Sequence, residues 1–221
     1  MKKSKVILYS LVAAFGALVV GLNLGGISGA IDIIETEFSL TALAKGLVAS
    51  ALMIGCLIGA LTGGSLSDRF GRRPLMMASA ALLAVSAAGC SILSNGAAAL
   101  VAFRFIGGLG VGVLSAVIPA YITEIAPEKM RGTLVSLYQL FVVIGILAAY
   151  TANYFLAGSA GGWRYMLGFP LAFAFVDIVL LLFLPESPVW LEQRNRTKRS
   201  DAKLSELFHG KIARVVFLGC M

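Results

Sequence analysis

Apolar positions along this chain come in long runs, and polar positions gather in short clusters between them. Six runs can be drawn, at about 6–31, 45–67, 75–94, 98–121, 133–156 and 164–184. Each is close to the roughly 20 residues a helix needs to cross the hydrocarbon core of a bilayer. The pattern predicts an all-α polytopic membrane protein with six transmembrane helices. The first run follows Lys2, Lys3 and Lys5 and ends near Ser28-Gly29-Ala30, which imitates a secretory leader and its cleavage site. A leader's apolar core spans only about 7–15 residues, so this longer run reads as an uncleaved first helix.

Composition sharpens the picture. Of 221 residues, 59% are hydrophobic and 13% charged, and the mean hydropathy is +0.92, whereas an ordinary soluble domain has about 25% charged residues. The formal charge of +7 does not point to nucleic acid, because the cations are spread over alternate connections. They are Lys2, Lys3 and Lys5; Arg69, Arg72 and Arg73; Lys129 and Arg131; then Arg194, Arg196, Lys198, Arg199 and Lys203. The intervening connections hold Asp32, Glu35, Glu37 and Lys45, then "SNGA" (94–97), then "GSAGGW" (158–163). Basic connections stay on the cytoplasmic side, which places the N-terminus and the segment after the sixth run in the cytoplasm. Cys56, Cys90 and Cys220 lie in apolar surroundings without paired spacing, and His209 stands alone. No disulfide, metal site or cofactor is expected.

Candidate chemistry lies in the polar residues that interrupt this pattern. Small residues recur at every fourth position as Gly21, Gly25 and Gly29, as Gly55, Gly59 and Gly63, and as Gly108 and Gly112, the spacing that lets helices pack closely in lipid. Charges inside a span are costly and mark function by default. Arg104 falls ~9 Å below the outer end of the fourth run, and Asn23 ~12 Å below that of the first. At similar depth, the Asn23 carbonyl oxygen could accept from the guanidinium; the competing reading has Arg104 snorkel outward. Asp177, about seven residues (~10 Å) from the inner end of the sixth run, has no partner in the sequence. A proton-titrating role competes with a packed, protonated or locally paired carboxyl, and its role stays open. Three clusters gather acids and bases at the cytoplasmic ends: Asp68, Arg69, Arg72 and Arg73; Glu124, Glu128 and Arg131; and Glu186. Each alone is a solvated turn, but together they suggest a breakable salt-bridge gate. Gly71 permits a tight turn between the second and third helices, and Pro74 suits the first position of the third.

These residues carry a resemblance. "GSLSDRFGRR" (64–73) resembles the signature loop between helices two and three of the major facilitator superfamily. "RFIGGLGVG", "PAYITEIAPEKMRGTLVSLYQL", "GWRYM" and "PESPVWL" follow in the order and spacing of its sugar porter family, up to about residue 191. Drug exporters of the superfamily share the first loop, but their fifth-helix Gly-Pro motif is absent from "GILAAYTANYF" (145–155). The resemblance implies a twelve-helix fold in two six-helix halves, inverted three-helix repeats within each half, and a sugar carried between them by alternating access. This chain would supply the N-terminal half: a bundle at 1–189, a short basic linker at 190–210, and the start of a seventh helix at 211–221. By that reading the chain is a fragment whose C-terminal half is a missing partner. The alternative is a truncated product without transport activity. Gln139 matches the family's sugar-binding glutamine and, with Asn23, makes up the candidate substrate-binding residues; an amide suits a hydroxyl because it both donates and accepts. Asp68 apart, the gate residues Arg69, Arg72, Arg73, Glu124, Arg131 and Glu186 match the family's cytoplasmic salt-bridge positions.

Departures from the family pattern also carry meaning. The first helix reads Val20-Gly21-Leu22-Asn23, where the family has aromatics and then an acid or amide, and Val189 stands where it has an arginine. Asn23 occupies the place where proton-coupled members put an aspartate facing the fourth-helix arginine. An amide carries no proton, so Asn23 and Arg104 favour facilitated diffusion of a hexose or pentose over sugar–proton symport, the family's default. A proton-titrating Asp177 would keep symport open. The expected setting is the inner or plasma membrane, with monosaccharide and lipid as partners and protons only in the symport alternative. No catalytic or metal-binding constellation is present in the sequence.

Overall fold

The computed structural model describes residues 3–159 and 161–196, and its described residues contain no strand. The helices that build the spans are α1 (Lys3–Phe38), α2 (Ala42–Phe70), α3 (Arg72–Ala88), α4 (Ala97–Ile125), α5 (Arg131–Leu156), α6 (Gly162–Gly168) and α7 (Pro170–Leu182). Helix α3 continues through a π-helical turn at Gly89–Leu93, and α6 and α7 together make the sixth span, so among the described residues six spans are long and apolar enough to cross a membrane. The expected seventh-helix start at 211–221 and most of the linker lie outside the described residues, as do Lys2, His209 and Cys220.

Local chemistry sets the element ends. The 36 residues of α1 extend about 54 Å, well beyond a core of about 30 Å, so its acidic end at Asp32–Glu37 can remain helical outside the lipid. Lys45 closes the next connection with ion pairs to Asp32 (2.9 Å) and Glu35 (2.6 Å), and Thr41 caps α2 by accepting from the Ala44 N–H. Between α6 and α7, Pro170 has no N–H to donate, which breaks the helical ladder at Phe169.

Glycine seams decide the packing. Along α1 and α5, Gly21 meets Gly145, Gly25 meets Ala149 and Gly29 meets Asn153, so the two helices run parallel in fixed register. A second parallel pair, α2 and α4, is sewn by Gly55 against Gly108, by Gly59 against Leu109 and by Gly112 against Cys56. Exchanging helices one to three with four to six turns the first pair into the second. It likewise turns the contact of α3 with α4 into that of the sixth span with α1. This is the packing of two inverted three-helix repeats. The core lies around Val20, Leu114, Val117, Ile118 and Tyr121, all nearly or fully buried. Large apolar side chains such as Leu57, Leu61, Leu147, Tyr154 and Phe175 face outward, which water would penalise and lipid does not.

Candidate functional site

At the basic face, the α2–α3 turn gathers the ends of four helices. Arg72 is the centre. Its guanidinium pairs with Glu124 of α4 at 2.8 Å, with Nε adding bonds of 3.1 and 3.2 Å to the same carboxylate. Its Nη1 reaches Asp68 at 2.8 Å and donates to the Ser67 carbonyl at 2.9 Å. The Arg72 and Glu124 side chains are only 9% and 15% exposed, so their pair is shielded. Asp68 is 70% exposed and contributes less, because water screens such pairs. Glu186 acts on the backbone instead, accepting from the N–H groups of Arg72 (3.0 Å) and Arg73 (3.2 Å). These are unpaired donors at the positive end of α3, where a carboxylate is favoured. Arg73 binds the other way, donating to the carbonyls of Leu181 (3.1 Å) and Leu182 (2.6 Å) at the end of α7. Tyr121 donates to the Pro185 carbonyl, and the Trp190 indole to the Asp68 carbonyl.

Five of the seven expected gate residues are thus joined. Arg69 instead lies over the Phe70 ring at 5.4 Å, and neither it nor Arg131 makes an ion pair among the described residues. Both are exposed, because the turn at Gly71 directs Arg72 and Arg73 inward and leaves Arg69 on the outer side of the last turn of α2. Pro74 falls at the third position of α3 and not the first, still within the turn whose N–H groups lack helical partners. Gly71 has φ 104°, a conformation that costs an L-residue about 1–3 kcal/mol, and a Cβ there would press on the Glu186 carboxylate. Gly71→Ala is therefore expected to lower thermal stability by about that amount and to loosen Glu186. Unfolding of the purified variant in detergent checks this.

Nearer the other face, the expected contact between Asn23 and Arg104 does not form. Arg104 is 3% exposed, so it does not snorkel; its Nε donates to the Val48 carbonyl of α2 at 2.9 Å. Asn23 is buried and donates to the Val19 carbonyl of its own helix at 2.9 Å. Both line one cleft of about 10 Å³, together with Ser86, Cys90 and Pro170, which is about the room a single water takes. Gln139 is exposed on α5, and the α1–α5 register puts it level with Phe15, about two turns inward of Asn23. Asp177 is wholly buried, with neither carboxyl oxygen hydrogen-bonded among the described residues. Asn153, which the sequence reading passed over, donates across the α1–α5 seam to the carbonyls of Gly25 and Gly26. Its signal was an amide within an apolar run opposite a glycine stripe.

Known proteins share this fold. The profile of the family described as "Sugar (and other) transporter" matches residues 9–214. The chain is 42% identical over 202 residues to the "Arabinose-proton symporter" of Bacillus subtilis, covering 88% of this chain and 43% of that protein. It is 45% identical over 178 residues to the "D-xylose transporter" of Levilactobacillus brevis, covering 80% and 39%. The solved structure of the proton:xylose symporter XylE of the major facilitator superfamily, bound to 6-bromo-6-deoxy-D-glucose, superposes with a TM-score of 0.83 at 31% identity. That alignment covers 99% of this chain and 53% of the other. The chain spans about half the length of the curated relatives it matches. With six apolar spans, two inverted repeats and a family match over most of its length, the chain belongs to the sugar transporter family of the major facilitator superfamily, at the length of its N-terminal half.

Proposed function

We propose that this chain carries a monosaccharide, a pentose or a hexose, across the cell membrane by alternating access, as the N-terminal half of a twelve-helix carrier. Its N-terminus and basic face lie in the cytoplasm, as the spread of Lys and Arg supports. The observation that carries the reading is the lock of Arg72, Glu124, Glu186 and Arg73, which ties the ends of α3, α4 and α7 through a few shielded polar contacts. Such a cluster can exist in two discrete arrangements, which is what a gate requires. Arg69 and Arg131 act at its margin, through charge alone. Gln139 hydrogen-bonds sugar hydroxyls, and the second half supplies the opposing wall of the site.

Asn23 supports facilitated diffusion, because the cleft it shares with Arg104 holds no acid to carry a proton. Symport is the second reading, supported by the printed activity of the Bacillus relative. The test uses a chimera of this chain joined to the remaining part of the Levilactobacillus D-xylose transporter. Gln139→Ala is expected to raise the half-saturation concentration for labelled xylose about tenfold, the loss of about 1.4 kcal/mol of hydrogen bonding. Asn23→Asp is expected to change the pH dependence of uptake. Unchanged half-saturation in the first variant would remove Gln139 from the site, and an unchanged pH dependence in the second would break the coupling argument.

A further inference from the structure

Asp177 is the one acid of α7, and the transport reading above does not use it. It is 0% exposed, and both its oxygens lack a hydrogen-bond partner among the described residues. It fits because Gly16 of α1 has no side chain: a Cβ there would lie 3.3 and 3.5 Å from the two carboxyl oxygens and 3.1 Å from Ile118 Cδ1 of α4. The helices around it offer no counter-charge at this depth. Helix α1 has no titratable residue between Tyr9 and Asp32, α3 none between Arg73 and Cys90, and α4 none between Arg104 and Tyr121. A lone carboxylate in such surroundings is not kept as an ion; it takes a proton instead.

Its position ties it to the lock. Leu181, one helical turn beyond Asp177, gives its carbonyl to Arg73, as does Leu182, and the Arg73 N–H is held by Glu186. The contacts that lock the basic face therefore also order the last turn of α7. Leu182 is five residues from Asp177, or ~8 Å, so freeing that turn would bring water within that distance of the acid. The α1–α5 register also places Gly16, and with it Asp177, at the depth of Gln139 across α1.

We propose that Asp177 is a proton-binding site tied to the cytoplasmic lock. It is a carboxylic acid while Arg73 clamps the end of α7, and a carboxylate when that turn is freed and wetted. The proton passes to cytoplasmic water and returns from the same side, so no net proton crosses the membrane. Because the proton binds the clamped state, acid in the cytoplasm favours that state and alkali favours the freed one. This rests on the transport reading only for what the lock controls.

The test is infrared difference spectroscopy of the chain reconstituted in lipid, stepped from acidic to alkaline pH in water and in deuterated water. A protonated-carboxyl band should fade as pH rises, be absent in Asp177→Asn and return, shifted, in Asp177→Glu. Arg73→Ala should move its midpoint toward acid by about one pH unit, a tenfold change in proton affinity. If Asp177→Asn does not fold, Gly16→Ala, whose methyl would press on the carboxyl, must shift the same band. No titrating band, a band that survives Asp177→Asn, or midpoints that neither Arg73→Ala nor Gly16→Ala moves would overturn the assignment. None of these readouts needs sugar flux, so a carrier that moved no sugar would refute the transport reading and leave Asp177 to be decided here.

Discussion

Gly108→Val is expected to abolish the folded bundle. A Cβ at Gly108 would lie 2.9 Å from the Gly55 Cα and closer still to the Leu52 carbonyl oxygen. The neighbouring atoms are backbone and cannot rotate away, so α2 and α4 must separate. Without a hydrophobic drive between helices in lipid, close packing and the polar contacts it permits are what hold such pairs together. Overpacking a filled site costs about 1–3 kcal/mol when the neighbours can adjust, and here they are backbone on both sides. Valine adds two further methyls, so the loss should reach or exceed about 3 kcal/mol. Gly64→Val, further along α2 with nothing within 4 Å of a Cβ, should leave thermal stability in detergent unchanged within about 0.5 kcal/mol. Equal melting of the two variants would contradict the seam.

Arg72→Gln should destabilise the basic face by about 3 kcal/mol, because it leaves the Glu124 carboxylate shielded without a counter-charge. Glu124→Gln should cost less, because Arg72 keeps its ion pair with Asp68 at 2.8 Å. The double variant should cost clearly less than the two together, with a coupling of about 1–3 kcal/mol. Arg69→Gln, which breaks no ion pair, should stay within about 0.5 kcal/mol of the parent. A double-mutant cycle by thermal unfolding measures all four. Additive losses would mean that the Arg72–Glu124 pair is incidental, and the gate argument would lose its centre.

The spans were legible in the sequence because lipid imposes one simple demand, a run of apolar residues long enough to cross it. Their ends were less so. The run of apolar residues stops near 31, whereas α1 continues to Phe38, since Asp32, Glu35 and Glu37 are as compatible with a solvated helix as with a loop. The π-helical turn at Gly89–Leu93 leaves no mark in hydropathy. In the site, clustered opposite charges announced the lock, but not which arginine would enter it. Arg69 and Arg72 are equivalent by composition, and only the backbone turn at Gly71 separates them. Arg104 misled for a related reason. Sequence reasoning pairs side chains with side chains, whereas the Val48 carbonyl belongs to a residue whose identity says nothing about what it accepts. Asn23 and Arg104 do share a cleft, as their similar depths implied, yet depth alone does not make a bond.

The central claim, that this bundle is the N-terminal half of a monosaccharide carrier, is tested most directly by uptake. The chimera with the remaining part of the D-xylose transporter is expressed in a strain that lacks pentose and hexose uptake. Labelled xylose, arabinose and glucose are then supplied with and without a proton gradient. The account predicts saturable entry of at least one sugar, at a rate the gradient does not drive. No entry of any of the three, from a chimera that reaches the membrane folded, would contradict it.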